Sequence, residues 1–177
     1  MMISFFNKIV DVLNELGIPY MLSGSVAMGV YIVPRTTRDF DFIVYMQPKD
    51  IDVFVKNFED GYYCNTDAVK DAVTHQSLFN IIDYSSGYKA DFIILKNEAF
   101  RQEEFKRRIE IQYFEKKIYL VTVEDLLLSK IIWIQDLQSA QQTEDIKNLC
   151  QLDTLDWVYI NDWIKKLKLN TFNLTEK

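Results

Sequence analysis

Three observations predict a mixed α/β (α+β) fold. Helical and strand-like hydrophobic patterns alternate at the start of the chain, two strand pairs joined by polar turns follow, and only helical patterns remain after residue 121. With 177 residues, 49% of them hydrophobic, the chain has enough apolar surface for a folded core, which excludes a disordered protein. We therefore expect residues 1–121 to form a core and residues 122–177 a small helical C-terminal extension packed on it.

The first elements alternate between helix and strand. Apolar residues recur at helical spacing over residues 3–16, and Gly17 with Pro19 ends this helix. A short apolar strand at 20–22 runs into a Ser-Gly-Ser turn, and a helix with a Ser hydroxyl cap starts at about residue 26. A strand over 36–45 and a helix from 48 or 50 to 58 follow.

The later elements are mainly hairpins and helices. A short strand and a short helix are expected between residues 61 and 76, and an exposed helix over 98–106. Alternating patterns predict one hairpin from strands 77–84 and 88–95, and a second from strands 109–114 and 118–121 with its turn at 115–117. The last helices are predicted to start at Thr122 or Val123, at a Thr143 cap, and over 155–167.

Charge and cysteine content narrow the function classes. The net charge of −6 excludes binding of nucleic acid by bulk electrostatics, so a polyanion would need a local patch or a metal. Cys64 and Cys150 have no metal-ligand spacing and are too few for a disulfide framework. No signal peptide pattern or membrane-spanning apolar run is present, so we expect a cytoplasmic protein with no membrane partner.

Acidic residues on two predicted strands indicate a metal site. Asp39 and Asp41 are two residues apart in a strand and therefore share a face. If the strand over 88–95 lies beside it, Asp91 adds a third carboxylate. Such carboxylates repel one another, and oxygen-only ligands favour Mg²⁺ or Mn²⁺. The sequence thus predicts that Asp39, Asp41 and Asp91 are metal ligands and catalytic residues.

The sequence predicts a phosphate site beside the acidic residues, at the start of the helix that follows Gly24. Gly24 permits close backbone approach, and the helix that follows would offer free N–H groups and the Ser25 hydroxyl to an anion. Arg35 and Arg38 can add charge-assisted contacts to phosphate. A triphosphate and two metal ions would fit together, which is the arrangement of phosphoryl transfer.

A glycine-serine turn and a pair of acids occur in residues 22–27 and 34–41, and Asp91 follows later in the chain. This pattern resembles the glycine-serine and paired-acid signature of the nucleotidyltransferase fold, the DNA polymerase β-like superfamily. A helix with Glu124 and Lys130 is similar to a further stretch in its small bacterial branch of AbiEii-type toxins. The resemblance implies a mixed sheet flanked by helices and metal-dependent transfer of a nucleoside monophosphate from a nucleoside triphosphate. It also implies a toxin–antitoxin component with an antitoxin partner.

Several alternatives stay open. The acceptor hydroxyl belongs to tRNA or another RNA, to a protein or to a small molecule. The chain could also be a catalytically inactive nucleotide-binding or protein-interaction module, or an antibiotic-modifying nucleotidyltransferase of the aminoglycoside or lincosamide type. Lys130 is interpreted either as a phosphate ligand or as a surface lysine, and Asp145 either as a first-turn acid of its helix or as a catalytic participant. We expect His75 at the surface without a role, and Trp133 in the core or in an interface.

Overall fold

The structure is a computed structural model that describes residues 2–32 and 37–175. Within these residues the helices are α1 Met2–Glu15, α2 Gly24–Tyr31, α3 Ile51–Lys56, α4 Thr66–His75, α5 Ala99–Lys106, α6 Val123–Trp133, α7 Ala140–Cys150 and α8 Trp157–Leu167. The strands are β1 Tyr20–Ser23, β2 Asp39–Val44, β3 Tyr62–Tyr63, β4 Leu78–Asp83, β5 Lys89–Ile94, β6 Ile109–Tyr113 and β7 Lys116–Leu120. A short 3₁₀ turn, Pro48–Asp50, leads into α3.

The strands form one mixed sheet in the order β3-β4-β5-β2-β1-β7-β6. β2 runs parallel to β5, and β1 runs parallel to β7, while the other neighbours are antiparallel. This arrangement confirms the predicted α+β fold with a mixed sheet. It also confirms the predicted neighbours, because β5 lies directly beside β2 and carries Asp91 next to Asp41 in register.

The alternation of residues along β2 separates the core from the polar face of the sheet. Phe40 and Phe42 are buried and pack against Phe6 of α1. Phe92 of β5 stacks on Phe42 with ring centroids 5.6 Å apart and on Phe79 of β4 at 4.9 Å. Since side chains alternate along a strand, this aromatic core turns the intervening aspartates toward the opposite face.

The first residues of the C-terminal helices α6 and α7 test the predicted helix starts. The Thr122 hydroxyl accepts a hydrogen bond from the Asp125 N–H, as a helix cap at the predicted start of α6. The predicted cap at Thr143 is wrong: Ser139 caps α7, because its hydroxyl accepts a bond from the Gln142 N–H. α6 packs against α2, α7 and α8, and the division at residue 121 stays a prediction.

Two smaller differences concern turns. The second hairpin turns at Phe114 and Glu115, both at positive φ, rather than at 115–117. Ser23 occupies the N-cap position of α2 but makes no side-chain cap bond. Over residues 2–32 and 37–175, no helix has the length and apolar character needed to span a membrane.

Candidate active site

An open cleft of about 890 Å³ lies on the polar side of β1, β2 and β5, with α5 and α6 contributing to its walls. Six of the predicted site residues line it: Gly24, Ser25, Asp39, Asp41, Asp91 and Lys130. Arg35 lies outside the described residues. Arg38 is exposed just before β2, where its backbone carbonyl accepts a bond from the Lys89 N–H, and it is not among the described residues that line the cleft.

The strand register brings the carboxylates together. Asp41 is opposite Asp91, and Asp39 is opposite Lys89, on adjacent parallel strands. The Lys89 ammonium lies 2.9 Å from Asp91 Oδ2 and 3.8 Å from Asp39 Oδ1. Its hydrogen bond to Asp91 raises the pKa of Lys89, so it is a cation at neutral pH. The acidic cluster therefore contains a positive charge that belongs to the chain itself.

The surroundings of the Asp41 carboxyl change its pKa in both directions. Burial raises the pKa of its carboxyl, and the negative charges of Asp91 and Asp39 raise it further. A hydrogen bond from the Ser25 backbone and the positive charge of Lys130 act in the opposite direction. Asp41 thus connects the acidic strand to the start of α2.

Gly24 makes room for this carboxylate. It has a φ of +64°, and a Cβ built on it would lie 1.8 Å from Asp41 Oδ2. A side chain at this position would therefore displace the carboxylate, and the left-handed backbone would be strained as well. The sequence predicted close backbone approach at Gly24, and the structure shows that the approaching group within the chain is Asp41.

Lys130 is buried, which corrects its interpretation as a surface lysine. Its ammonium donates to Asp145 Oδ2 at 2.7 Å and to Gln142 Oε1 at 3.1 Å. Asp145 is also buried and lies in the second turn of α7, so the interpretation as a first-turn acid is wrong. The helix starts earlier than predicted, and this places Asp145 against α6. Lys130 is thus held at the cleft by a buried ion pair.

Sequence reasoning missed several residues of the cleft region. Lys89 could have been found, since it precedes Asp91 by two and so shares its strand face. Arg101 lines the cleft and donates to Glu104 Oε2 at 2.9 Å and to Ser129 Oγ at 2.6 Å. Ser129 comes from α6, a contact that only the tertiary fold creates.

Trp133, which is expected in the core or in an interface, and His75, which is expected at the surface without a role, also line the cleft. Trp133 is 62% exposed, which contradicts a place in the core. His75 is exposed as expected, and its ring Nδ1 lies 3.0 Å from Asp71 Oδ1. Each lies beside the cleft because α4 and α6 end there.

The acidic residues fit a divalent cation by their chemistry. Carboxylate oxygens are the donors that Mg²⁺ and Mn²⁺ prefer, and the cluster already attracts the Lys89 ammonium as a cation. In the described part of the chain, however, no three His, Cys, Asp or Glu side chains stand ready as a metal site. A metal ion at this cluster therefore stays a proposal that rests on the chemistry of the three carboxylates.

Comparison with known proteins gives a result for the fold only. No family model matches the chain, and no curated protein matches its sequence. The antibiotic-resistance factor ANT(2'')-Ia matches with a TM-score of 0.63 and 12% identity, covering 93% of this chain and 90% of that one. The lincosamide antibiotic adenylyltransferase LnuA, solved with lincomycin bound, matches with a TM-score of 0.55 and 18% identity, covering 80% and 91%. These likenesses extend over most of each chain.

Proposed function

This chain has the nucleotidyltransferase fold, and on that premise we propose that it transfers a nucleoside monophosphate from a nucleoside triphosphate to a hydroxyl group. The observation that carries the proposal is the position of Asp39, Asp41 and Asp91 in one cleft, beside the Gly24-Ser25 start of α2. The carboxylates could hold the metal ions that a phosphoryl transfer needs, and the start of α2 could bind the phosphates.

In the proposed reaction, the acceptor oxygen forms a bond to the α-phosphorus, and the bond from that phosphorus to the β-phosphate oxygen breaks. Pyrophosphate leaves, and the hydroxyl proton passes to a carboxylate of the cluster. The Ser25 hydroxyl and the N–H groups at the start of α2, other than the Ser25 N–H that donates to Asp41, bind phosphate oxygens. Lys130 faces Asp41 from α6, and its buried partner Asp145 keeps it in position.

Asp39, Asp41 and Asp91 would hold Mg²⁺ or Mn²⁺ in this proposal. The bound cation would neutralise phosphate charge and lower the pKa of the attacking hydroxyl. The protein contributes the arrangement: β2 and β5 hold the three acids in register, and Gly24 leaves space for the Asp41 carboxylate.

A small molecule is the acceptor that the observations favour. A net charge of −6 disfavours an RNA acceptor held by bulk electrostatics and suits a cationic compound. The cleft volume of about 890 Å³ is adequate for a nucleotide with part of a small acceptor. The structural neighbours include a lincosamide adenylyltransferase, which supports an antibiotic as acceptor. An AbiEii-type toxin role with an antitoxin partner stays a prediction.

The test is incubation of the protein with each of four α-labelled nucleoside triphosphates and Mg²⁺ or Mn²⁺. Aminoglycosides, lincosamides, total RNA and cell lysate serve as acceptors in separate reactions. We expect label on a small molecule, loss of transfer in Asp41→Asn, and normal transfer in the control Asp162→Asn, which alters an exposed acid of α8. Full activity in Asp41→Asn would refute the assignment. Binding of metal and nucleotide without transfer to any acceptor would instead identify an inactive module.

A further inference from the structure

The Lys89 ammonium lies in the acidic cluster, where it would compete with a metal ion for the carboxylates. Its ammonium contacts Asp91 Oδ2 at 2.9 Å and lies 3.8 Å from Asp39 Oδ1, and its side chain is 34% exposed. The contacts follow from the backbone, because Lys89 is opposite Asp39 and shares a strand face with Asp91. Both of these acids are among the three that are proposed to hold the cation.

The arrangement of the acids agrees with such competition. Three carboxylates on neighbouring strands repel one another, and a cation among them reduces the repulsion. Lys89 provides that cation, but it also draws the Asp91 carboxylate toward position 89 of its own strand.

We propose that Lys89 is a built-in counter-ion of the site, which stabilises the metal-free cluster and must release Asp91 and Asp39 when a divalent cation binds. The proposal rests on the proposed function, since it assigns the competition to the same three acids. Lys89 is a positioning residue in this scheme: it sets the geometry and the affinity of the site without contacting substrate. Metal affinity is consequently weaker than the carboxylates alone would give.

The experiment measures Mn²⁺ binding without nucleotide, by the loss of the free-ion signal in electron paramagnetic resonance and by titration calorimetry. The variant is Lys89→Met, which keeps the aliphatic stem and removes the charge, with Lys89→Gln as a second variant. Lys117→Met is the matched control, because Lys117 pairs with Glu110 at 3.0 Å on the distant β6-β7 hairpin. Melting temperatures are recorded with and without Mn²⁺.

We expect Lys89→Met to bind Mn²⁺ about tenfold more tightly than the wild type, because two partly exposed ion pairs no longer compete. The control should bind as the wild type does. Without metal, Lys89→Met should melt at a lower temperature, and Mn²⁺ should remove this difference. Lys89→Gln should change affinity in the same direction.

The outcomes separate this inference from the proposed function. Unchanged or weaker Mn²⁺ binding in both Lys89 variants, with normal binding by the wild type, would overturn the role of Lys89 and leave the proposed function standing. Binding by the variants and not by the wild type would support the role of Lys89 in its strongest form. If neither the wild type nor any variant binds Mn²⁺, both the metal site and the role of Lys89 are refuted.

Discussion

Replacement of Gly24 by Ala tests how closely the position of Asp41, one of the acids proposed to be catalytic, depends on the first residue of α2. Gly24 has a φ of +64°, and the added Cβ would lie 1.8 Å from Asp41 Oδ2. A normal non-bonded separation exceeds 3.0 Å, so the carboxylate has to move by more than about 1 Å. Such a movement breaks the hydrogen bond from the Ser25 backbone to the Asp41 carboxylate.

Gly17 provides a matched control. It has the same φ of +64°, and a Cβ built on it meets nothing within 4 Å. Gly17→Ala should therefore cost only the backbone strain, about 1–2 kcal/mol, which lowers the melting temperature by roughly 2–4 °C for each kcal/mol in a chain of this size. Gly24→Ala carries the same strain and in addition displaces Asp41.

The two variants should differ most in catalysis. A misplacement of about 1 Å at a reacting centre can reduce the rate roughly 100-fold, so we expect Gly24→Ala to lose transfer by about that factor and Gly17→Ala to retain it. Initial rates of pyrophosphate release with Mn²⁺ and the identified acceptor measure this, and urea denaturation measures stability. Equal activity in the two variants would refute the inference that Gly24 positions Asp41.

Two further substitutions test charges in and beside the cleft. Asp41→Asn should stabilise the metal-free protein, because the folded-state pKa of Asp41 is raised. The contribution of the protonated Asp41 carboxyl to stability is fully present below about pH 4 and is lost as pH rises through the folded pKa. The advantage of the variant in melting temperature should grow from acid toward neutral pH, and a constant difference would contradict the assignment. Lys130→Met leaves Asp145 buried without this partner and should cost about 3–5 kcal/mol, whereas the double variant with Asp145→Leu should recover most of it. A double-mutant cycle in urea measures the coupling, and additive losses would show that the pair is not coupled.

Most of the fold could be predicted because it depends on local patterns. The helix of residues 2–15, the 78–83 and 89–94 hairpin and the cap at Thr122 all follow from hydrophobic period and turn chemistry. Asp39 and Asp41 could be assigned to one face for the same reason, and Asp91 joined them through strand pairing. The start of α7 was missed because Ser139 and Thr143 are both plausible caps four residues apart, and sequence gives no means of choosing between them.

The charge partners on the helices could not be predicted, since they depend on packing between distant elements. Lys130 and Asp145 meet only because α6 and α7 pack together, and Arg101 meets Ser129 only because α5 lies beside α6. Sequence alone suggests three mutually repelling carboxylates, for which removal of Asp91 would stabilise the metal-free fold. The pairing of Asp91 with Lys89 at 2.9 Å changes that expectation, because removing Asp91 also removes an ion pair.

The pairing of charges within the chain limits how strongly the cleft could attract a polyanion. Lys130 is paired with Asp145, Arg101 with Glu104, and Lys89 with Asp91. Each of these cations is largely neutralised by its own partner, so the cleft gains little positive potential from them. In the proposed function, a nucleoside triphosphate would therefore need the charge of its divalent cation in order to bind beside Asp39 and Asp41. Thermal shift assays should accordingly show stabilisation by nucleotide only when Mg²⁺ or Mn²⁺ is present, and equal stabilisation in excess chelator would mean that the paired lysines and arginine suffice.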